Sequence, residues 1–171
     1  NQTNDAEFLL DVIRKRRDES PQRILEVACG GGRICIPLAK AGHIITGFDA
    51  DKHMLRHCYR KMKGIDNIAC YSADALNSNW GLNFDIVVLA GNLLINIETD
   101  MDYALAQQTL IHKAASALDP GGHLFLDFDL HCNPADFFNN PRKSSYFEGT
   151  DDMGTYGRVV TYGSVYDPVT R

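Results

Sequence analysis

The chain has 171 residues, of which 44% are hydrophobic and 23% are charged. This composition is typical of one globular domain and excludes a disordered tail, a collagen-like fibre and a miniprotein held together by disulfides. The formal net charge of −5 argues against a protein that binds nucleic acid by neutralising phosphates. No apolar run approaches the roughly 20 residues that cross a bilayer, so no membrane partner is expected.

The 5 cysteines show neither a CxxC pair nor the spacing of a disulfide framework. The sequence therefore predicts no zinc knuckle and no metal site, and it predicts free thiols in the reducing environment of the cytoplasm. His53 and His57, which share one face of a predicted helix, are interpreted as part of a solvated basic surface. Because the chain begins with Asn1 instead of methionine, further residues are expected to precede it.

The predicted elements alternate between helix and strand. In chain order they are a helix at residues 5–17, a strand at 23–28, a helix at 33–41, a strand at 44–48, a helix at 52–62, strands at 67–71 and 84–90, a helix at 102–118 and a strand at 123–128. Residues 119–122 are interpreted as a turn that closes the last helix. This alternation predicts an α/β fold of three layers, with a doubly wound, mainly parallel sheet and helices on both faces.

The sequence changes character after residue 129. Two segments rich in Tyr, Val and Thr, at 143–148 and 158–166, predict a small antiparallel β segment after the fifth strand. A turn at 167–170 should lead into another strand, but the sequence stops at Arg171, so the chain is expected to be a piece of a longer protein. Sheet edges left open in such a piece would favour a homodimer.

A glycine-rich turn joins the first predicted strand to the helix that follows it. Gly30 and Gly32 let the backbone approach a ligand closely, and the helix N-terminus favours negative charge. Asp49 ends the second strand, where an acid can accept hydrogen bonds from a ribose diol. Together these features indicate a cofactor that contains a nucleoside, either a dinucleotide or S-adenosylmethionine.

Two features favour S-adenosylmethionine. A dinucleotide fingerprint needs a third glycine for close packing of helix and strand, and Cys35 or Arg33 stands at that position here. Glu26, near the end of the first strand, can face a cationic ammonium but would repel a pyrophosphate. A nicotinamide-dependent Rossmann oxidoreductase remains the alternative.

Four segments in order resemble the motifs of class I S-adenosylmethionine-dependent methyltransferases. ILEVACGGGRICIPLAKAGHIITGFDADKHML is similar to the first motif and its acidic loop, although Ala28 replaces the first glycine. SADA at 72–75 resembles the loop that contacts adenine, FDIVVLAGNLL the strand-four motif, and LDPGGHLFLDF the turn and strand that follow. The resemblance covers about residues 23–129 and implies a Rossmann-like fold.

The resemblance implies a set of cofactor contacts. Those expected around the methionine moiety are Glu26, Ala28, Gly30 and Gly32, and Ala90 is expected near the methyl group. Those expected around the adenosine are Asp49 at the ribose hydroxyls, Ala50 and Met54 against the adenine, and Asp74 and Ala75 at its edge. Three of these residues also have an alternative structural interpretation. Asp49 could cap the helix at Lys52, Asp74 could be a turn residue and Met54 could be a core residue.

The expected reaction is an in-line methyl transfer that depends mainly on positioning, with a base needed only if the acceptor must lose a proton. Asn92, after strand four, and His131, after strand five, are the candidate catalytic residues. The segment AGNLL lacks the [DNS]PP[YFW] motif of enzymes that methylate adenine or glutamine. The resemblance is closest to the small-molecule branch that includes glycine and sarcosine N-methyltransferases, so an amine acceptor is slightly favoured. A methyltransferase-like protein that binds without catalysis is a second alternative.

The predicted elements and the resemblance together divide the chain into three parts. Residues 1–22 form an N-terminal helix that packs on the core, and residues 23–133 form the S-adenosylmethionine-binding core. Residues 134–171 are expected to begin a β insertion that covers the substrate.

Overall fold

The computed structural model describes residues 4–15, 20–129, 133, 135, 146–151 and 153–160. The chain divides into two compact units, of which the first ends at Phe128 and the second begins at Asp129. Among the residues that the structure describes, no helix is both long and apolar enough to cross a membrane.

In its described residues, the first unit contains four helices, one 3-10 helix and five strands. The helices are α1 (Asn4–Lys15), α2 (Cys35–Lys40), α3 (Lys52–Lys61) and α4 (Tyr103–Ala117), and the 3-10 helix is Leu93–Ile95. The strands are β1 (Arg23–Val27), β2 (Ile44–Asp49), β3 (Ile68–Ser72), β4 (Phe84–Leu89) and β5 (Leu118–Leu126). In the second unit, β6 (Tyr146–Thr150) and β7 (Tyr156–Val160) pair in antiparallel fashion, as the sequence predicts.

The five strands of the first unit form one parallel sheet in the order β3-β2-β1-β4-β5. The chain runs outward from β1 through β2 to β3, then crosses to the other side of β1 for β4 and β5. The strand order therefore reverses between β1 and β4, and ligands of such sheets bind beyond the carboxyl ends of the strands at this reversal. The predicted doubly wound parallel sheet is confirmed.

Both faces of the sheet are covered by helices. Ile24 faces the core that contains α1, α2 and α3, whereas its neighbour Leu25 faces the core that contains α4. Successive strand residues point to opposite faces, so a strand buried on both faces is apolar throughout. On α4 the buried stripe is made mostly of alanines, such as Ala106 and Ala114, which let this helix lie close to the sheet.

The predicted turn at residues 119–122 is wrong in its extent, because β5 already begins at Leu118. Leu118 pairs with Phe84, and His123 pairs with Ile86, so the residues between form an irregularity inside the strand. Asp119 lies there and binds the Arg23 guanidinium, which also donates to Asp85 at 2.9 Å. This ion-pair network anchors the start of β5 to β1 and β4, and the pattern of apolar residues gave no sign of it.

Candidate active site

A cavity of about 370 Å³ opens where β1, β2 and β3 end. We call it the β1–β3 cavity. Five of the residues predicted to contact a cofactor line it, namely Ala28, Asp49, Ala50, Asp74 and Ala75. Its apolar wall was not predicted and is formed by Phe48, Leu76, Leu93, Ile97 and Leu110. These side chains come from separate elements, and in the sequence each one resembles an ordinary core residue.

The carboxylate of Asp49 joins two turns at the edge of this cavity. Its Oδ2 accepts a hydrogen bond from the Gly30 N–H at 2.7 Å, and its Oδ1 accepts one from the Asp51 N–H at 2.7 Å. An ionised carboxylate has about four acceptor positions, so both oxygens retain capacity for ligand hydroxyls. The interpretation of Asp49 as a helix cap is wrong, because Asp51 caps α3 by accepting from the N–H groups of His53 and Met54.

The turn after β1 is built from residues in the left-handed backbone region. Ala28, Gly30 and Gly32 have φ angles of 56°, 52° and 81°. Two backbone hydrogen bonds fix the turn, from the Cys29 N–H to the Phe48 carbonyl at 3.0 Å and from the Gly32 N–H to the Cys29 carbonyl at 3.0 Å. Ala28 thus adopts a conformation that glycine adopts without steric cost, at the position where the resembled family has glycine.

Replacing Ala28 with glycine is expected to stabilise the protein by up to about 1 kcal/mol. A left-handed conformation costs an L-residue roughly 1–2 kcal/mol, and the greater freedom of glycine in the unfolded chain offsets roughly 0.5–1 kcal/mol of that gain. Urea denaturation measures the difference. Ala41→Gly is the matched control, because Ala41 has a φ of −78° and should lose stability when it becomes glycine. A loss of stability in Ala28→Gly would contradict the inference that the backbone of Ala28 is strained.

Asp74 has a structural role in the wall of the cavity. Its Oδ1 accepts hydrogen bonds from the Asn77 backbone N–H at 2.7 Å and from the Asn77 side-chain amide at 2.8 Å. The interpretation of Asp74 as a turn residue therefore agrees with its contacts, and its contact with adenine stays a prediction. Lys113 on α4 closes the same loop by donating to the carbonyl oxygens of Leu76 and Ser78 at 2.7 and 2.6 Å.

Met54 lies outside the β1–β3 cavity and over the glycine turn. Its side chain is 44% exposed, so the interpretation of Met54 as a core residue is wrong. Its Cε lies 3.5 Å from the point that a Cβ on Gly30 would occupy. The Lys61 ammonium donates to the Gly31 carbonyl at 3.2 Å, so α3 supplies two contacts to this turn. Packing of Met54 against adenine stays a prediction.

Glu26 does not line the β1–β3 cavity. It shares the face of β1 that Ile24 occupies, and the two neighbouring strands place Gly47 and Val88 beside it. It is only 4% exposed, and Oε2 has no hydrogen-bond partner among the residues that the structure describes. Burial raises the pKa of Glu26 to about 8, against the effect of hydrogen bonds from Cys35. The predicted contact of Glu26 with a cationic ammonium stays a prediction.

Glu26→Gln is expected to flatten the pH dependence of stability. The folded state keeps the Glu26 proton up to a pKa of about 8, whereas the ordinary value is 4.5. The folded state therefore binds more protons between these values, and stability falls as the pH rises from about 5 to about 8. We expect wild-type protein to lose about 3–4 kcal/mol more than the variant over this range. Urea denaturation at each pH tests this, and equal slopes would contradict it.

The ends of β4 and β5 are joined by a residue that the sequence analysis missed. The Asp127 carboxylate accepts a hydrogen bond from the Asn92 N–H at 3.1 Å, and the Asp127 N–H donates to the Leu89 carbonyl at 3.1 Å. Gly91 and Asn92 both have left-handed φ angles, of 71° and 62°. The sequence signal that could have identified Asp127 is an acidic residue directly after an apolar strand. Ala90 is half-buried against the α1–α3 core, away from the cavity.

His131, the second predicted catalytic residue, lies outside the described residues. The structure brings together four of the residues predicted at the adenosine with Ala28, which was predicted at the methionine moiety. Met54 and Glu26 are not among the residues that line this cavity, and the Asn92 backbone is held at the neighbouring strand end.

The fold and the site define a Rossmann-like domain with a glycine turn after β1 and an acid at the end of β2, features of domains that bind a nucleoside-containing cofactor. Residues 24–122 match the family described as a methyltransferase domain, and the chain belongs to this family. The sequence-based assignment to the methyltransferases is confirmed.

Similar proteins include both O- and N-methyltransferases. A ubiquinone biosynthesis O-methyltransferase from Parvibaculum lavamentivorans is 30% identical over 125 residues, which are 71% of this chain and 45% of that protein. Glycine N-methyltransferase from Rattus norvegicus is 27% identical over 132 residues, again 71% of this chain and 45% of that protein. The chain thus spans less than half the length of these two relatives.

Solved structures share the fold at lower identity. An amino pentose methyltransferase from Micromonospora echinaspora, bound to S-adenosylmethionine, has a TM-score of 0.66 and 16% identity, covering 99% of this chain and 79% of that chain. The glycopeptide N-methyltransferase MtfA in complex with S-adenosylmethionine has a TM-score of 0.63 and 15% identity, covering 96% of this chain and 67% of that chain.

Proposed function

We propose that this chain binds S-adenosylmethionine in the β1–β3 cavity and serves in methyl transfer to a small molecule. The observation that carries the proposal is the Asp49 carboxylate. It stands at the cavity, holds the Gly30 amide and retains acceptor positions for a ribose diol. Membership of the methyltransferase domain family supports the same activity.

The cavity offers the cofactor both polar and apolar contacts. Asp49 accepts from the ribose hydroxyls and so orients the sugar, while Phe48, Leu93 and Leu110 contact the adenine and exclude water. Gly30 has a left-handed φ and no side chain of its own, so the methionine moiety can approach the backbone of this turn closely. When bound, the cofactor supplies a methyl group on a positively charged sulfur. The positive charge of the bound cofactor would favour ionisation of the buried Glu26, whose burial favours the neutral form.

The acceptor is proposed to enter beyond β4, where Asn92 follows the strand. Positioning of the acceptor atom in line with the methyl group supplies most of the catalysis. A base is required only for an acceptor that must lose a proton, and His131 is proposed for that step. An amine is favoured slightly over an oxygen or carbon acceptor, because the similar proteins include a glycine N-methyltransferase and a glycopeptide N-methyltransferase.

A thermal shift experiment with S-adenosylhomocysteine and NADH in parallel tests the cofactor. A ligand at about 100 times its dissociation constant adds roughly 2.7 kcal/mol, which raises the melting temperature of a domain of this size by roughly 5–10 °C. We expect the shift with S-adenosylhomocysteine alone. A shift with NADH alone would overturn the proposal in favour of the oxidoreductase.

A second assay separates catalysis from binding. The protein is incubated with S-adenosylmethionine and with sets of small amines, phenols and carboxylates, and release of S-adenosylhomocysteine is measured. We expect turnover with a member of the amine set. Binding without turnover in any set would favour the non-catalytic alternative.

A further inference from the structure

Four cysteines from separate elements converge behind the glycine turn. Cys29 follows β1, Cys35 begins α2, Cys58 lies in α3 and Cys70 lies in β3. The Sγ atoms of Cys35, Cys58 and Cys70 all lie within 4.8 Å of one another, and those of Cys58 and Cys70 are 3.6 Å apart. We call these four residues the thiol cluster. Its members are so far apart in the sequence that no metal-binding motif is visible.

The spacing of the thiol cluster matches a metal site closely. Sulfur ligands about 2.3 Å from a tetrahedral zinc ion are about 3.8 Å from one another. The observed separation of 3.6 Å between Cys58 and Cys70 is close to this value, and the upper limit of 4.8 Å for the two pairs that include Cys35 leaves a contraction of about 1 Å or less. Thiolate sulfur is also the ligand type that selects zinc over magnesium or calcium.

Gly47 creates the space that the thiol cluster occupies. It pairs with Glu26 on one side and with Cys70 on the other. A Cβ on Gly47 would lie 3.1 Å from both the Cys29 and the Cys70 Sγ atoms. Any other residue at this position would therefore press on these two sulfurs. Cys29 is not in the group whose Sγ atoms all lie within 4.8 Å of one another, so it must move towards the other three thiols to supply a fourth ligand.

We propose that Cys35, Cys58 and Cys70 bind one zinc ion, with Cys29 as the fourth ligand. Zinc replaces the thiol protons, which pass to the solvent, and all four sulfurs bind as thiolates. Cys70 is half-buried on the edge strand β3 and provides the route of entry, whereas the other three thiols are buried. The bound ion would fasten the glycine turn, α2, α3 and β3 to one another. This site is independent of the proposed methyl transfer.

The test begins with reduced protein that has been stripped of metal by a chelator. Cobalt is added first, because thiolate ligands give tetrahedral Co²⁺ an intense charge-transfer absorption, and zinc is then added to displace it. We expect one cobalt ion per chain, loss of the absorption on addition of zinc, and a higher melting temperature with zinc. Cadmium NMR of the wild-type protein counts the sulfur ligands without any variant. The absence of a thiolate absorption, or a cadmium shift without sulfur ligands, would overturn the proposal.

Variants assign the site to the thiol cluster. Cys70→Val retains a residue suited to a strand and is expected to weaken zinc binding by about 100-fold or more. Gly47→Ala leaves every ligand in place but crowds two of them, so we expect an intermediate loss. Cys132→Ser is the control, because Cys132 is the cysteine outside the thiol cluster. Unchanged affinity in Cys70→Val, or an equal loss in Cys132→Ser, would overturn the proposal.

Discussion

Replacing Asp49 with asparagine is expected to weaken the binding of S-adenosylhomocysteine about 100-fold, which corresponds to about 2.7 kcal/mol. Hydrogen bonds to a charged group contribute roughly 1.5–3 kcal/mol, and the variant loses the charge. Asparagine also has a single acceptor oxygen, whereas Asp49 accepts from the Gly30 and Asp51 N–H groups with separate oxygens. The variant therefore loses a turn contact as well as a ligand contact. Isothermal titration calorimetry measures the change.

Asp51→Asn is the matched control for this variant. Asp51 lies two residues away, is exposed and caps α3, and asparagine is an equally good cap. We expect Asp51→Asn to keep both the stability and the affinity of wild-type protein. Equal affinities in Asp49→Asn and wild-type protein would remove the central observation behind the proposed cofactor, and the thiol cluster would be unaffected by that result.

Gly32→Ala is expected to lower the free energy of unfolding by about 3 kcal/mol. Gly32 has a φ of 81°, which costs an alanine roughly 1–2 kcal/mol. A Cβ there would lie 2.5 Å from the Ile36 Cδ1 and 3.0 Å from the Cys58 Sγ, and overpacking of this kind costs typically about 1–3 kcal/mol. Urea denaturation followed by circular dichroism measures the loss.

Gly64→Ala separates the two causes of this loss. Gly64 has nearly the same φ, 80°, but no atom lies within 4 Å of the point where its Cβ would stand. We expect only the backbone cost there, about 1 kcal/mol. If the two variants lose the same free energy, the contact of Gly32 with α2 and α3 is not what requires glycine.

The sheet was predictable because its strands are short apolar runs separated by glycine turns and amphipathic helices. β4 is buried from Ile86 to Leu89 on both faces, and only a central parallel strand combines that length with that composition. The glycine turn and Asp49 were predictable because their chemistry depends on local geometry. The left-handed φ of Ala28 also depends on local geometry. The turn imposes this backbone conformation even though Ala28 replaces the glycine of the family motif.

Contacts between distant segments were not predictable. The thiol cluster depends on the register that sets Gly47 beside Cys70, and the sequence does not contain that register. The irregular start of β5 depends on the pairing of Asp119 with Arg23, residues that appear unrelated along the chain. The sequence did not show which face of the sheet Glu26 occupies. β1 has apolar residues on both of its faces, so its sequence shows no alternation of polar and apolar residues.

The hydrogen bond between Asp49 and the Gly30 amide has a consequence for the kinetics of binding. Hydrogen bonds within the chain fix this turn, because backbone hydrogen bonds at Cys29 and Gly32 flank the one at Gly30. Preorganisation of this kind reduces the conformational entropy that a ligand must remove, and it spares the encounter a slow rearrangement. Association with the cofactor should then be limited by diffusion and orientation, and differences in affinity among nucleoside ligands should appear mainly in their residence times.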